Sequence, residues 1–173
     1  VPGFDNSAMD GYTIALDDDH VSKTNLTFNV VDRITAGSTG NKLEMGYAAR
    51  IFTGAPIPEG ANTVIMQEEC QPSDDGSQII VKRSIQLNEN IRPTGNDICE
   101  GDVILISGKK IEPQDVSLAA SVGVAKIIVF KKLKVGVFFT GDELVEPGNP
   151  LLPGKIYNSN RYALVALLNR IGC

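Results

Sequence analysis

Four short runs in the first hundred residues are rich in apolar and β-branched side chains: residues 27–31 (TFNVV), 48–52 (AARIF), 63–67 (TVIMQ) and 78–82 (QIIVK). Turn-forming clusters separate them at 37–40 (GSTG), 56–58 (PIP) and 73–76 (SDDG). Short strands with frequent turns predict a small barrel or sandwich. The chain carries no internal repeat and no low-complexity tract. Near residue 103 the spacing changes. Residues 103–106 (VILI) and 127–130 (IIVF) are strand candidates, and between them Pro113 opens a helix, PQDVSLAASVG. Proline suits the first helical turn and Gly123 the position just past the last. Glu112 is a weak N-cap residue, so a loosely held helix start is expected.

Lys131 and Lys132 mark a second break. Residues 135–139 (VGVFF) are fully apolar, as in a strand buried on both faces of a parallel sheet. A loop rich in Gly and Pro follows. Residues 160–171 then place Leu164, Leu167, Leu168 and Ile171 at helical spacing, with Asn158 or Ser159 as cap and Gly172 as stop. A lone β-loop-α unit leaves its strand half covered, so this region reads as truncated. The pattern predicts a mixed α/β, multidomain protein: a β-rich domain, a small part with a helix, and the start of an α/β domain.

Composition narrows the function classes. The 173 residues are 42% hydrophobic, enough for a packed core and against global disorder. The net charge of −5 argues against a nucleic-acid partner, and no apolar run is long enough for a membrane span. Residues 1–100 hold 15 acids and 7 bases, whereas 101–173 hold 6 acids and 9 bases, which places a boundary near residue 100. The chain opens on Val1-Pro2-Gly3 without an initiator Met or a signal-peptide n-region, so a fragment is expected. Cys70, Cys99 and Cys173 lack the spacing of a disulfide framework or a zinc site, and a cytoplasmic setting follows. The single histidine, His20, follows Asp17, Asp18 and Asp19 and reads as a solvated loop residue. Chemistry here must therefore rest on carboxylates, hydroxyls and backbone.

Four strings concentrate such groups. Residues 5–12 (DNSAMDGY) pack Asp5, Asn6, Ser7 and Asp10 together, which suits either Mg²⁺ ligation or an Asx-turn. Residues 53–56 (TGAP) follow an apolar strand and offer either an anion cradle or a simple turn. Residues 94–97 (TGND) form a turn beside Arg92, a possible phosphate partner. Residues 140–144 (TGDEL) follow the apolar strand directly, where α/β sheets bind ligands; site and turn are both open readings for Asp142 and Glu143.

In order along the chain, these strings resemble the MoeA/gephyrin family of molybdopterin molybdenumtransferases. The strings are PGFDNSAMDGYT (2–13), FTGAP (52–56), VIMQE (64–68), NENIR (88–92), GND (95–97), FTGDEL (139–144) and YNSNRY (157–162). The resemblance implies a β-rich domain at 1–96, part of a linking domain at 97–131, and the truncated start of a molybdopterin-binding α/β domain at 132–173. It implies insertion of molybdate into adenylylated molybdopterin with release of AMP, assisted by Mg²⁺, in a homodimer served by the donor protein of the same pathway. Asp10, Thr53, Asp97 and Glu143 match the family's catalytic positions. Gly141 and Asp142 match its cofactor-binding string, with Asp10 and Glu143 as Mg²⁺ ligands. Asn158 stands where relatives usually carry Asp. Pro93 and Thr94 stand at positions often basic, Phe139 where Ser is common, and Thr13 where Ala is common. Because the third domain is cut, the fragment alone is expected to be inactive. Two other functions compete: a Mg²⁺-dependent phosphoryl-transfer protein, on the TGD string, and a gephyrin-like scaffold or binding module.

Overall fold

The structure is a computed structural model and describes residues 1–17, 19–21 and 23–173. Asp18 of the acidic run therefore lies outside the described residues. The chain divides into two compact units, Val1–Ala125 and Lys126–Cys173.

The first unit is built on strands β1 (Asn6–Ser7), β2 (Gly11–Ile14), β3 (Leu26–Ile34), β4 (Tyr47–Ile51), β5 (Thr63–Met66), β6 (Cys70–Pro72), β7 (Gln78–Val81) and β8 (Ile91–Arg92), with helix α1 (Pro113–Ser121) after them. Six of the strands form one sheet in the order β5-β2-β4-β3-β7-β6, and β1 pairs with β8 separately. Only β3 and β4 run parallel; the other ladders are antiparallel. A parallel neighbour cannot be reached by a tight hairpin, and residues 35–46 supply the longer connection. The expected barrel is not closed, because β5 and β6 pair on one side each.

Alternation along the strands gives each face of the sheet its own core. Ile14, Phe28, Ala48, Ile65, Ile79 and Val81 bury on one face. Their neighbours Ala49, Ile51 and Val64 bury on the other, beneath Leu43 and Ala55 from the loops. Buried Thr13, on the second face with its ladder partners Ala49 and Val64, donates its hydroxyl to the carbonyl of Thr63 at 3.1 Å. β2 and β5 approach so closely that a Cβ on Gly11 would lie 1.8 Å from the carbonyl oxygen of Ile65. Any side chain at the start of β2 would have to push the Ile65 backbone aside.

All four runs expected as strands in the first hundred residues form strands. β1, β2, β6 and β8 are additional. β1 and β8 are two-residue pairings that carry no periodicity, and β2 hides behind the polar string 5–10. Three expected strands are absent among the described residues: 103–106, 127–130 and 135–139 join no ladder. A strand exists only through a partner's hydrogen bonds, and these apolar runs find none. Val103, Ile128, Phe130 and Phe138 are instead exposed.

Helix α1 starts where expected, but its start is not loose. Asp115, three residues inside, accepts from the Glu112 N–H at 3.0 Å and from Lys109 Nζ at 2.6 Å. The anchor is thus the acid of the first turn rather than the cap residue itself.

The second unit holds a two-residue parallel pair, β9 (Leu144–Val145) and β10 (Ile156–Tyr157), and helix α2 (Ser159–Arg170). Asn158 caps α2 by accepting from the Arg161 N–H at 3.3 Å. Leu164, Leu167 and Ile171 remain substantially exposed.

Candidate active site

Asp10 ends the loop between β1 and β2, and Thr53 follows β4. Antiparallel pairing of β2 with β4 sets Gly11 opposite Ile51, so Asp10, one residue before Gly11, comes to the same end of the sheet as Thr53, two residues after Ile51. One carboxylate oxygen of Asp10, Oδ1, accepts from the Thr53 N–H at 2.8 Å and from its hydroxyl at 2.7 Å. These two bonds, backbone first, hold the Asp10 carboxyl below its ordinary value, and the Arg50 charge adds to the effect. Both side chains are exposed, so the pair is available to a ligand.

The loop bearing Asp10 is strapped from several sides. The Ser7 hydroxyl bridges to the Met9 carbonyl at 2.6 Å, and the Ala8 N–H donates to Asn90 at 2.9 Å. The Gly54 N–H donates to the Ser7 carbonyl at 2.8 Å, so the Thr53-Gly54 turn packs on the same segment. A second clasp repeats the first. Asp5 Oδ1 accepts from the Thr94 N–H at 2.7 Å and from its hydroxyl at 2.8 Å. Thr94, at a position often basic in the family it resembles, is thus committed to Asp5. Exposed Arg92 lies on β8 opposite Asn6. The turn then carries Asp97, whose N–H donates to the Val1 carbonyl at 2.8 Å and whose exposed carboxylate accepts from Asn96 at 2.9 Å. One segment, residues 1–10, therefore holds the loops of Asp10, Thr53 and Asp97, though Asp97 makes no hydrogen bond to the other two.

In the second unit, Gly141, Asp142 and Glu143 occupy the turn before β9. The Leu144 N–H closes it onto the Gly141 carbonyl at 3.1 Å, and Lys155 Nζ donates to the Asp142 carbonyl at 2.6 Å. The Glu143 carboxylate folds back over Gly141, where a Cβ would meet its oxygen at 2.6 Å. Glycine at 141 thus lets the acid sit against the backbone. Nearby, Glu146 joins Arg161 at 2.9 Å, Tyr162 at 3.2 Å and Asn158 at 3.4 Å, on the wall of a cavity of about 480 Å³ also lined by Phe138 and Val165. Neither this cluster nor the Asp5–Thr94 clasp stands out in the sequence, because each partner is ordinary alone and only the fold joins them.

Among the described residues no three His, Cys, Asp or Glu side chains converge on a point that could hold a metal. Asp10 offers one carboxylate oxygen beyond the one that Thr53 occupies. That suits a Mg²⁺ whose other ligands come from water and substrate phosphate, and does not make an all-protein cage. The three cysteines are free, and burial pushes the Cys70 thiol up to about 12, which keeps it protonated. His20 pairs with Asp17 at the surface, as a loop histidine should.

A mixed sheet whose loops bring an Asp–Thr pair to one end of its strands β2 and β4, followed by an α/β unit, defines the class. Residues 1–123 match the family described as MoeA N-terminal region (domain I and II). The chain belongs to this family. It is 44% identical to a molybdopterin molybdenumtransferase of Haemophilus influenzae, over 100% of this chain and 42% of the relative. It is 42% identical to a molybdopterin molybdenumtransferase of Bacillus subtilis, over 92% of this chain and 38% of that protein. A crystal structure of a molybdopterin biosynthesis MoeA protein from Pyrococcus horikoshii superposes with a TM-score of 0.86 at 35% identity, covering 99% of this chain and 46% of that one. The chain spans about two fifths of the length of the curated relatives it matches. The mixed α/β, multidomain class read from the sequence is the class of these structures.

Proposed function

We propose that this chain is part of an enzyme of molybdenum cofactor biosynthesis that inserts molybdate into adenylylated molybdopterin and releases AMP. The observation that carries the proposal is the Asp10–Thr53 clasp, formed by two of the strings shared with the molybdenumtransferases and held open to solvent. A fixed carboxylate next to a hydroxyl and a turn of backbone amides suits the breaking of a phosphoanhydride. Asp10 stays ionised and presents its second oxygen. The Thr53 hydroxyl, spent on Asp10 in this state, sets the direction of that oxygen. Bound Mg²⁺ would neutralise phosphate charge there, with Asp10 as one ligand. Asp97 and Glu143 are the further acids of the reaction, and Gly141 with Asp142 forms the turn that receives the pterin. The protein works as a cytoplasmic homodimer that takes its substrate from the preceding donor protein. The domain division proposed is 1–96, 97–131 and 132–173.

The test is an AMP-release assay with adenylylated molybdopterin, Mg²⁺ and molybdate, using a chain of the relatives' full length. Asp10→Asn is expected to lower turnover by roughly a hundredfold or more, the scale of losing an electrostatic group in a preorganised site. The 173-residue chain alone is expected to release no AMP. Full turnover by Asp10→Asn would remove the clasp from the mechanism.

A further inference from the structure

We infer that Arg50 is a positioning residue for the Asp10–Thr53 pair: its one guanidinium bolts together the segments that carry the two side chains. The inference rests on the reading above that this pair belongs to the active site. Arg50 Nη1 donates to the Gly11 carbonyl at 2.9 Å, on the residue directly after Asp10. Nη2 donates to Gln67 Oε1. Gln67 in turn gives its backbone N–H to the Asp10 carbonyl at 3.1 Å. Asp10 is thus held through its own carbonyl and through the next, and Arg50 closes the ring between the two.

The guanidinium also packs near two aromatic rings. It lies 5.1 Å from the ring centroid of Tyr12 and 4.8 Å from that of Phe52, the residue directly before Thr53. Strand register explains the stack. Tyr12 and Arg50 are directly opposed on β2 and β4, and Phe52 follows two residues on, on the same face. Arg33, opposed to Arg50 on β3, takes the Phe52 ring at 5.1 Å. Two opposed cations on neighbouring strands would ordinarily repel; the aromatic ring gives both a favourable face. The arrangement costs two arginines on one face, and its product is a rigid link from Asp10 to Thr53 that no direct sequence neighbour supplies. A planar fork is required for this. A lysine ammonium keeps the charge but cannot present a planar fork to both acceptors while also facing the two rings.

The experiment compares Arg50→Lys and Gln67→Met with the parent. In this chain, hydrogen exchange of the Thr53 amide is measured by NMR, with amides of Phe28 and Ile80 as a check on the distant sheet. In a chain of the relatives' full length, kcat and KM for AMP release are measured beside an Asp10→Asn control. Both variants are expected to speed Thr53 exchange at least tenfold, leave the distant amides unchanged, and lower kcat by roughly tenfold to a hundredfold with little change in KM, as expected for a misaligned catalytic group. If Arg50→Lys fails to fold, Gln67→Met, which removes an exposed acceptor, decides alone. Parental Thr53 exchange in the folded variants would overturn the role of Arg50. An Asp10→Asn control with full turnover would instead defeat the active-site reading, and the Thr53 exchange would still decide whether Arg50 positions the pair.

Discussion

One oxygen of the Asp10 carboxylate is held by a single neighbour, Thr53. The Thr53 N–H and then the Thr53 hydroxyl favour the charged carboxylate, so its titration lies below the ordinary 3.8. A lowered carboxyl stabilises the fold above the value it has in the unfolded chain, and that contribution is lost as pH falls through the lowered value. Thr53→Val removes the hydroxyl and keeps the backbone donor. The Asp10 carboxyl is expected to titrate at higher pH in this variant, without returning fully to 3.8, in a ¹³C NMR titration; an unchanged titration would show that the hydroxyl does not hold it. Asp75 is held in the same way: it accepts from Ser73 at 2.6 Å, the Ser77 N–H at 3.0 Å and the Ser77 hydroxyl at 2.8 Å, and its carboxyl is lowered to about 2. Its turn between β6 and β7 should stay intact at pH 5 and loosen between about pH 4 and pH 2, read as faster exchange of the Ser77 amide.

At the scale of elements, β2 is the strand that places Asp10, since it lies between β4 and β5 and starts directly after Asp10. Gly11 permits the close approach to β5. Gly11→Ala must push Ile65 backbone, not a flexible side chain, and is expected to cost about 3 kcal/mol, the upper part of the usual overpacking range. Urea unfolding measures this, and a midpoint equal to the parent's would mean that β5 yields freely. Ile79 on β7 is fully buried in the core on the opposite end of the sheet. Ile79→Ala should cost about 2–5 kcal/mol by transfer and cavity terms, yet leave the Asp10–Thr53 clasp in place. The contrast separates the stability of the sheet from the geometry of its edge.

At the scale of the whole molecule, the two units differ in what they bury. All buried hydrophobic residues among those described lie between Ile14 and Ala119. In residues 126–173 the buried residue is polar Asn158. Protection against hydrogen exchange follows burial and ladder hydrogen bonds. Amides of β2, β4 and β7 in this chain should therefore exchange orders of magnitude more slowly than those of β9, β10 and α2. Exchange mass spectrometry measures this, and equal protection in both units would contradict it.

How much of this was written in the sequence depends on the range of the interaction involved. The runs 27–31, 48–52, 63–67 and 78–82 form strands because their alternation is local and strong. The helix starts at Pro113 and Asn158 were legible for the same reason: a cap or a first-turn proline acts within a few residues. The apolar runs 103–106, 127–130 and 135–139 were legible as hydrophobic, but a strand needs a partner, and none pairs with them here. The candidate acids could be named from ordered strings, yet their partners could not. Asp5 meets Thr94, Asp10 meets Thr53 and Arg50 meets Gln67 only after β2, β4, β5 and β8 have taken their places. The chain by itself determined which segments fold and which side chains carry charge. The tertiary structure decided which distant side chains share a hydrogen bond, because strand order and register set those distances and no local pattern encodes them.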